Sequence, residues 1–203
     1  MKDEIVIIDY GMGNLHSVSK AVEAVGGLPV ITSDKKVIAA AEKIILPGVG
    51  AFGDCMKNLQ ATELIPAIRR HLKEGKPFLG ICLGMQLLFD GSEESPGVAG
   101  LGVFSGMVKK LPTSYKIPHM GWNKLQLRAP SVLTKEAAER YVYFVHSFHA
   151  EPDDKNLITA VCDYGSEITA AVGRDNIQAL QFHPEKSGAV GLRMLQAFKE
   201  WKI

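Results

Sequence analysis

Four short apolar segments, separated by stretches with helical periodicity, constrain the fold of this chain more than any other feature. The segments are residues 5–8, 29–32, 43–46 and 77–81. Each has the length of a fully buried strand, and helices are predicted between or after them. The predicted helices are residues 15–25, 34–41, 51–58, 65–74 and 83–88. Because strands and helices alternate, we expect an α/β fold with a mostly parallel sheet and helices flanking both faces.

Small polar residues mark the starts of the first two predicted helices. Asn14 precedes the first helix and Ser33 the second. Side-chain oxygens at such positions accept hydrogen bonds from N–H groups that have no partner inside the helix. We therefore predict that Asn14 and Ser33 are helix caps.

The second half of the chain has a different pattern of predicted secondary structure, in which short strands follow one another with turns between them. The predicted strands are residues 103–111, 123–127, 141–147, 157–163, 168–173 and 177–181, and a closing helix is predicted over residues 188–201. Successive strands without intervening helices favour antiparallel pairing. No repeat, low-complexity tract or long linker divides the chain. We therefore expect residues 1–203 to form a single domain with an antiparallel-rich second half.

Composition and charge exclude several classes of protein. Apolar residues make up 46% and charged residues 22% of the 203 residues, which is typical of a globular chain with its own core. The net charge is +1 and there is no long basic run, so a nucleic-acid-binding surface is not expected. No apolar stretch has the length of a membrane span, and the first residues lack the pattern of a signal peptide. We therefore expect a cytoplasmic protein that binds neither nucleic acid nor membrane.

The cysteines and histidines give no pattern of a disulfide framework or a metal site. Cys55, Cys82 and Cys162 lie far apart and form no CxxC motif, which predicts free thiols in a reducing compartment. His146 and His149 are separated by two residues, but one such pair is too little for a metal site. No metal is therefore expected.

A glycine-flanked cysteine joins a predicted buried strand directly to a predicted helix, in residues 80–84, Gly-Ile-Cys-Leu-Gly. This arrangement has the logic of a nucleophile elbow, because the glycines allow a sharp turn that lifts the Cys82 side chain to the edge of the sheet. The start of the helix also favours a thiolate. A buried structural cysteine is the alternative. The five residues alone do not decide between the two.

A nucleophilic cysteine needs a base, and the base needs a group that orients it. His183 is the best placed of the six histidines, because it follows directly on a predicted strand. Glu185 lies two residues further on, and Pro184 between them stiffens the turn. We predict that His183 is the base and Glu185 its orienting carboxylate. His16 and His71 fall on predicted helices and are expected to be exposed to solvent.

Several segments taken together resemble a known family. Residues 80–84 and the His-Pro-Glu of residues 183–185 resemble the signature of the class I glutamine amidotransferases. Residues 9–14 (Asp-Tyr-Gly-Met-Gly-Asn) and 118–123 (Pro-His-Met-Gly-Trp-Asn) are similar to one branch of it, the glutaminase subunits of imidazole glycerol phosphate synthase. Residues 47–52, Pro-Gly-Val-Gly-Ala-Phe, match the oxyanion strand of that branch. The resemblance covers essentially the whole chain and implies a flavodoxin-like fold.

The resemblance implies hydrolysis of glutamine by a Cys-His-Glu triad without a metal or cofactor. Cys82 is expected to attack the side-chain amide of glutamine. His183 is expected to take the thiol proton and pass it to the departing ammonia, while Glu185 orients the imidazole. Water then hydrolyses the glutamyl thioester.

The resemblance also assigns the groups that hold the tetrahedral oxyanion. One donor is expected to be the N–H of Leu83, and the other an N–H of Val49 or Gly50. Glycines on both sides of Val49 make that strand conformationally loose. A peptide that flips its N–H toward the oxyanion would make the enzyme switchable, and loss of one such donor typically costs about 10²–10³ in rate.

By analogy with the family, Gln86 is expected to contact glutamine from the helix that begins after Cys82. Its position four residues from the cysteine places both on the same face of that helix. The backbone of His146, Ser147 and Phe148 is expected to hold the carboxylate end of glutamine. Taken alone, Gln86 would be better explained as a polar helix residue with no role.

The resemblance further implies a partner, a (β/α)₈-barrel cyclase subunit on the open edge of the sheet. A docked partner keeps ammonia away from water, where it would be protonated. Asn14 and Trp122 are expected to lie in this contact. The cyclase then makes imidazole glycerol phosphate and an aminoimidazole carboxamide ribotide, in histidine biosynthesis.

Four alternatives stay open. The same triad occurs in glutaminases of anthranilate, aminodeoxychorismate, guanylate and pyridoxal phosphate synthases. Gly11, Gly13 and Asp34 have the spacing of a dinucleotide-binding fingerprint, although His16 stands where a small residue is required. A Cys-His hydrolase that acts alone and a non-enzymatic binding subunit complete the set. Residues 118–123 argue against the other synthases only through the resemblance.

Overall fold

Strands and helices alternate through the first half of the chain, and strands dominate the second half. The computed structural model describes residues 3–129, 131–135, 137 and 140–203. The strands are β1 (Glu4–Ile8), β2 (Leu28–Thr32), β3 (Ile44–Gly48), β4 (Phe78–Cys82), β5 (Gly91–Ser92), β6 (Gly106–Lys110), β7 (His119–Lys124), β8 (Gln126–Leu127), β9 (Tyr141–His146), β10 (Phe148–Pro152), β11 (Ile158–Asp163), β12 (Glu167–Arg174) and β13 (Ile177–Leu180). The α-helices are α1 (Leu15–Ala24), α2 (Lys35–Ala40), α3 (Phe52–Ala61), α4 (Ile65–Lys73), α5 (Leu83–Gln86) and α6 (Gly188–Glu200). Within the described ranges, no helix combines the length and apolar character needed to cross a membrane.

The central sheet has eight strands in the order β2-β1-β3-β4-β13-β12-β11-β8. Strands β2, β1, β3, β4 and β13 pair in parallel, whereas β12, β11 and β8 continue the sheet with antiparallel pairings. The predicted α/β fold, with a parallel sheet and an antiparallel-rich second half, is thus confirmed. Two small sheets, β10-β6-β5 and β7-β9, supplement it. Because β1, β3, β4 and β13 run in the same direction, their carboxyl ends meet at one edge, where open α/β sheets bind ligands.

Strand β1 shows how the sheet divides the core. Val6 and Ile8 pack with residues of α2 to α5 on one face, and Ile5 and Ile7 pack with residues of α1 and α6 on the other. All four side chains are buried. Successive side chains of a strand point to opposite faces, so a strand covered on both sides must be apolar at every position. This requirement explains the uninterrupted apolar run in the sequence.

The two predicted helix caps have different outcomes. The side chain of Asn14 accepts a hydrogen bond from the N–H of Ser17 at 3.3 Å, so the predicted cap of α1 is confirmed. The prediction for Ser33 is wrong, because Asp34 caps α2 and accepts from the N–H of Lys36 at 2.7 Å. A carboxylate one residue closer to the helix is the better partner for its positively polarised start.

For some elements the predicted first and last residues are wrong, because pairing with distant segments determines where a strand begins and ends. β7 begins at His119 rather than at residue 123, since it pairs with β9 along its whole length. β10 is absent from the prediction because Ala, Glu and Pro, three of its five residues, are depleted in strands, and it is a strand because it pairs with β6. α5 ends at Gln86 rather than at residue 88, and the N–H groups of Leu88 and Phe89 bond three residues back instead of four.

Of the two histidines predicted to be exposed to solvent, one is exposed and the other is buried. His16 lies on the exposed side of α1, as expected. The prediction for His71 is wrong, because its side chain is buried and its Nε2 lies 3.0 Å from the carbonyl oxygen of Pro77. Burial lowers the pKa of His71, so the neutral ring is favoured there. His71 follows Ile68 by three residues on α4, and this spacing places both on the face that packs against the sheet.

Candidate active site

Strand β4 turns sharply into α5 at Cys82. The residue has a φ of 55° and a ψ of −110°, a conformation that is strained for any residue other than glycine. A Cβ atom on Gly84 would lie 1.8 Å from the carbonyl oxygen of Leu46 on β3, and one on Gly80 would lie 2.7 Å from the carbonyl oxygen of Gly84. Both glycines are therefore required by close backbone approaches. The turn leaves the Cys82 side chain at the carboxyl end of β4.

His183 and Glu185 lie beside this turn because β13 is the parallel neighbour of β4. The Nδ1 of His183 lies 2.7 Å from a carboxylate oxygen of Glu185, and both side chains are buried. The backbone of His183 is held on both sides: its N–H donates to the carbonyl of Tyr143 at 3.0 Å, and its carbonyl accepts from the Ser187 hydroxyl at 2.6 Å. The structure thus brings the three predicted triad residues together.

The triad histidine is poised to carry a positive charge. Burial alone would lower the pKa of His183, but interaction with Cys82 and Glu185 outweighs burial and raises it to about 9. An ionised carboxylate only accepts hydrogen bonds, so Nδ1 carries a proton toward Glu185. Nε2 has no hydrogen-bond partner among the residues that the structure describes. This nitrogen is therefore the one that can exchange a proton with Cys82 and with a leaving group.

The predicted oxyanion segment continues from β3 directly beside the cysteine. Gly48 is the register partner of Cys82, and Val49 and Gly50 follow it, the latter with a φ of 97°. The Val49 carbonyl accepts from the buried thiol of Cys55 at 3.5 Å. Because the C=O and N–H of one peptide point in opposite directions, the N–H of Gly50 points away from Cys55. Leu83 opens α5, so its N–H has no partner within the helix.

A second buried group holds the start of this segment. The Tyr10 hydroxyl donates to the carbonyl of Pro47 at 2.9 Å and lies 3.6 Å from the sulfur of Cys55. Burial raises the pKa of Tyr10 far above its usual value, so the phenol stays protonated and remains a donor. No role for Tyr10 is visible in the sequence, because its contacts with Pro47 and Cys55 join segments that are 37 or more residues apart along the chain.

A cavity of about 240 Å³ opens at this edge of the sheet. Besides Cys82 and His183, its lining includes every residue predicted for the oxyanion or for glutamine contact, namely Val49, Gly50, Leu83, Gln86, His146, Ser147 and Phe148. Glu94, Pro118 and Val145 also line it and were not predicted. A carboxylate oxygen of Glu94 accepts from the N–H of Phe52 at 2.8 Å. An acidic residue in an unremarkable loop gives no sequence signal of such a position.

Gln86 is almost fully buried and is anchored by its amide nitrogen. Nε2 donates to the carbonyl of Phe148 at 3.0 Å and to Oε1 of Gln181 at 2.9 Å. The amide nitrogen of Gln181 in turn lies 3.7 Å from the sulfur of Cys82. Both hydrogens of the Gln86 amide are thereby used, so its Oε1 is the atom that can face a ligand, as an acceptor. Gln181 is a further residue of the site that sequence reasoning missed.

The two predicted interface residues differ in their exposure to solvent. Asn14 is half-buried at the start of α1. The loop before it lies against the oxyanion segment, since a Cβ atom on Gly13 would be 3.3 Å from the Pro47 ring. Trp122 lies on β7 and is 56% exposed, next to Met120 at 62%. An exposed Trp with a neighbouring exposed Met is typical of a protein–protein contact surface.

The structure offers no assembled metal site in the ranges that it describes. There, no group of three or more His, Cys, Asp and Glu side chains could hold a metal ion. Cys55, Cys82 and Cys162 are free thiols. Burial raises the pKa of Cys162 to about 12, which keeps that thiol protonated and unreactive.

Comparisons with known proteins agree with this geometry. The family model described as glutamine amidotransferase class-I matches residues 6–200. The imidazole glycerol phosphate synthase subunit HisH of Geobacter sulfurreducens is 51% identical over 207 residues, which cover 98% of this chain and 99% of the relative. The HisH subunit of Aquifex aeolicus is also 51% identical, with 96% of this chain and 95% of the relative covered.

Solved structures resemble the fold at lower identity. A glutamine amidotransferase crystal structure has a TM-score of 0.76 at 17% identity, covering 95% of this chain and 96% of that one. The structure of PurLQS from Thermotoga maritima has a TM-score of 0.77 at 21% identity, covering 98% of both chains. At such identities the likeness concerns the fold alone.

Proposed function

Because the chain belongs to the family of class-I glutamine amidotransferases, we propose that it is the glutaminase subunit of an imidazole glycerol phosphate synthase. The observation that carries the proposal is that Cys82 and His183 line one cavity and Glu185 is bonded to the Nδ1 of His183, in a chain about half identical to HisH subunits along nearly its full length. The reaction is hydrolysis of glutamine to glutamate and ammonia, and the ammonia is delivered to a cyclase subunit for histidine biosynthesis.

The chemistry follows from the positions of the three triad groups. The thiolate of Cys82 attacks the side-chain amide carbon of glutamine, and the tetrahedral intermediate carries the charge on its oxygen. The imidazolium of His183 gives its Nε2 proton to the departing amine, which leaves as ammonia. A water molecule then loses a proton to His183 and attacks the thioester, so that glutamate is released and the thiolate is regenerated. Glu185 keeps the imidazole oriented and stabilises its charge throughout.

The oxyanion is held by backbone donors. The N–H of Leu83 is one, and the peptides around Val49 and Gly50 supply the other. Gly50 already has a conformation that favours glycine, and the Val49 carbonyl is bonded to Cys55. If the peptide between Val49 and Gly50 rotates, the weak hydrogen bond from the Cys55 thiol to the Val49 carbonyl is broken. This segment is therefore suited to act as the on–off element of the glutaminase.

The α-ammonium and α-carboxylate groups of glutamine share one carbon atom, and different groups of the cavity lining hold each of them. Its α-ammonium group is attracted by the carboxylate of Glu94 and by Oε1 of Gln86, which is the free acceptor of that amide. Its α-carboxylate is bound by backbone N–H groups of the segment that contains His146, Ser147 and Phe148. These assignments use only groups that line the cavity.

The partner is a cyclase subunit, for which we propose a (β/α)₈ barrel docked on the open edge of the sheet. Trp122 contributes an exposed aromatic anchor, and Asn14 lies at the end of the loop that touches the oxyanion segment. A partner bound there would press on this loop and cover the cavity mouth, which excludes water. We further propose that residues 1–203 act as one cytoplasmic domain, without nucleic acid or membrane.

The Cys82→Ala variant tests this function in the complex with the cyclase. We expect glutamine-dependent synthesis to be lost while synthesis from added ammonia is retained, because the cyclase itself is intact. The matched control is Cys162→Ala, which removes another buried thiol, on β11 of the same sheet, and should keep both activities. If ammonia-dependent synthesis disappeared together with glutamine-dependent synthesis, Cys82 would be needed for assembly and its catalytic role would be unsupported.

A further inference from the structure

Two buried histidines outside the triad face each other between β7 and β9. His119 and His146 are register partners in this pair of strands, and they are only 3% and 6% exposed. The Nδ1 of His119 lies 3.0 Å from the Nε2 of His146. The Nδ1 of His146 lies 2.8 Å from the carbonyl oxygen of Phe148. The pair therefore reaches from β7 to a residue that lines the cavity.

The protons in this chain of contacts can be placed from the inner end. The carbonyl of Phe148 can only accept, so the Nδ1 of His146 must carry a proton. Burial lowers the pKa of His146 to about 3 and that of His119 to about 4, so both rings are neutral near pH 7. A neutral ring protonated at Nδ1 accepts at Nε2. His146 therefore accepts at Nε2, and His119 donates to it from Nδ1.

The contacts of Asn123, at the other end of the chain of hydrogen bonds, independently place the proton of His119 on Nδ1. The side-chain amide of Asn123 is oriented by two backbone groups: its nitrogen donates to the carbonyl of Asp163 at 2.7 Å, and its oxygen accepts from the N–H of Lys124 at 2.7 Å. The amide nitrogen is also 3.3 Å from the Nε2 of His119. It can only donate, so the Nε2 of His119 accepts and its Nδ1 carries the proton. Both ends thus fix one direction of donation, from Asn123 through His119 and His146 to Phe148.

The ring of His119 is also clamped mechanically. It stacks on Phe144 with ring centres 4.7 Å apart and on Tyr164 with ring centres 4.0 Å apart. Beyond Phe148 the contacts continue to the nucleophile, because the same carbonyl accepts from Gln86, which holds Gln181 near Cys82. The carbonyl of Phe148 is therefore held by two donors, one from each side.

We infer that His119 and His146 are positioning residues of the glutamine site, because they form a relay of fixed direction that holds the Phe148 carbonyl and, through it, Gln86. The inference rests on the proposed function for the identity of the substrate. Among the described residues, His146 is the one cavity-lining residue that His119 contacts by a side-chain hydrogen bond, so His119 acts on glutamine through His146. Without the His119 donor, the buried Nε2 of His146 loses its partner and the His146 ring is no longer fixed, so that Gln86 remains the only firmly positioned donor of these two to the Phe148 carbonyl. Glutamine binding should weaken more than the chemical step, since the triad is untouched.

Two variants of His119 separate its hydrogen bond from its shape. His119→Phe keeps an aromatic ring between Phe144 and Tyr164 but removes the donor. His119→Asn can place an amide N–H near the position of Nδ1. In the complex with the cyclase and its nucleotide, we expect the phenylalanine variant to raise KM for glutamine about tenfold and to change kcat less. The asparagine variant should return KM to within about twofold of the parent value.

The matched control is His71→Leu, which removes another buried histidine bonded to a carbonyl, on α4 away from the cavity. It should lower thermal stability without changing KM. An unchanged KM in the His119→Phe variant, or an equal rise in the control, would overturn the positioning role.

A second measurement does not depend on activity. Nitrogen-15 NMR of the imidazole rings in the isolated chain should show both His119 and His146 as neutral rings protonated at Nδ1. Rings protonated at Nε2, or charged near pH 7, would refute the relay. If the parent complex hydrolysed no glutamine, the proposed function would fail, and the ring spectra would still decide whether the relay exists.

Discussion

Replacing Glu185 by glutamine tests how the triad histidine is held. The carboxylate lies 2.7 Å from the Nδ1 of His183, and both side chains are buried. Glutamine keeps an oxygen in that place but removes the charge. A hydrogen bond to a charged group contributes about 1.5–3 kcal/mol and a neutral one about 0.5–1.5 kcal/mol, so the loss is about 1–2 kcal/mol. Since 1.36 kcal/mol corresponds to a factor of ten, kcat/KM for glutamine should fall about 5- to 30-fold.

The same substitution should change the pH profile. Interaction with Cys82 and Glu185 overcomes the effect of burial and raises the pKa of His183 to about 9. The imidazolium is the proton donor to the leaving ammonia, so activity should be present below this pKa and fall as pH rises through it. In Glu185→Gln one cause of the raised pKa is gone while burial is unchanged. The alkaline limb of kcat/KM should therefore move to lower pH.

The assay is glutamate release by the complex with the cyclase and its nucleotide, measured across the alkaline limb. Ammonia-dependent synthesis is the control for intact assembly. His183→Ala is the reference, with an expected loss of about 10²–10⁴-fold, because it removes the proton-transferring group itself. The reasoning is refuted if Glu185→Gln loses more activity than His183→Ala, or if its alkaline limb stays in place.

Two further predictions concern the backbone around the site, and thermal or denaturant unfolding measures both. Gly84→Ala puts a Cβ atom 1.8 Å from the carbonyl oxygen of Leu46, so it should destabilise the fold by more than about 3 kcal/mol. Gly97→Ala, at a φ of 83° with open space around it, should cost only about 1–2 kcal/mol, and equal losses would contradict the steric argument. Tyr10→Phe leaves the buried carbonyl of Pro47 without its side-chain donor and should lower the free energy of unfolding by about 1–3 kcal/mol. An unchanged stability would mean that this hydrogen bond contributes nothing.

Local chain geometry explains which parts of the site could be predicted from the sequence. Cys82 sits in a strand–turn–helix segment whose glycines are needed for the turn, and His183 and Glu185 are two residues apart at the end of a strand. In such short segments the local sequence determines the relative positions of the side chains. The order of apolar strands likewise predicted the parallel part of the sheet, because a strand covered on both faces has to be apolar throughout.

Contacts between distant segments explain what the sequence could not predict. Gln181 and Glu94 enter the site only because the fold brings their segments to the cavity. β10 is a strand because it pairs with β6, although three of its five residues, Ala, Glu and Pro, are depleted in strands. His71 looks like a polar helix residue until the packing of α4 buries it. The role inferred for His119 also depends on its pairing partner in β9.

Glutamate release from glutamine by this chain is the measurement that tests the proposed function most directly. It should be compared for the chain alone, the chain with the cyclase subunit, and the chain with the cyclase subunit and its nucleotide substrate. We predict strong release in the complete mixture and little in the other two, because the oxyanion segment and the cavity mouth are then completed by the partner. Absence of release in the complete mixture, or equal release by the chain alone, would contradict a glutaminase controlled by this partner.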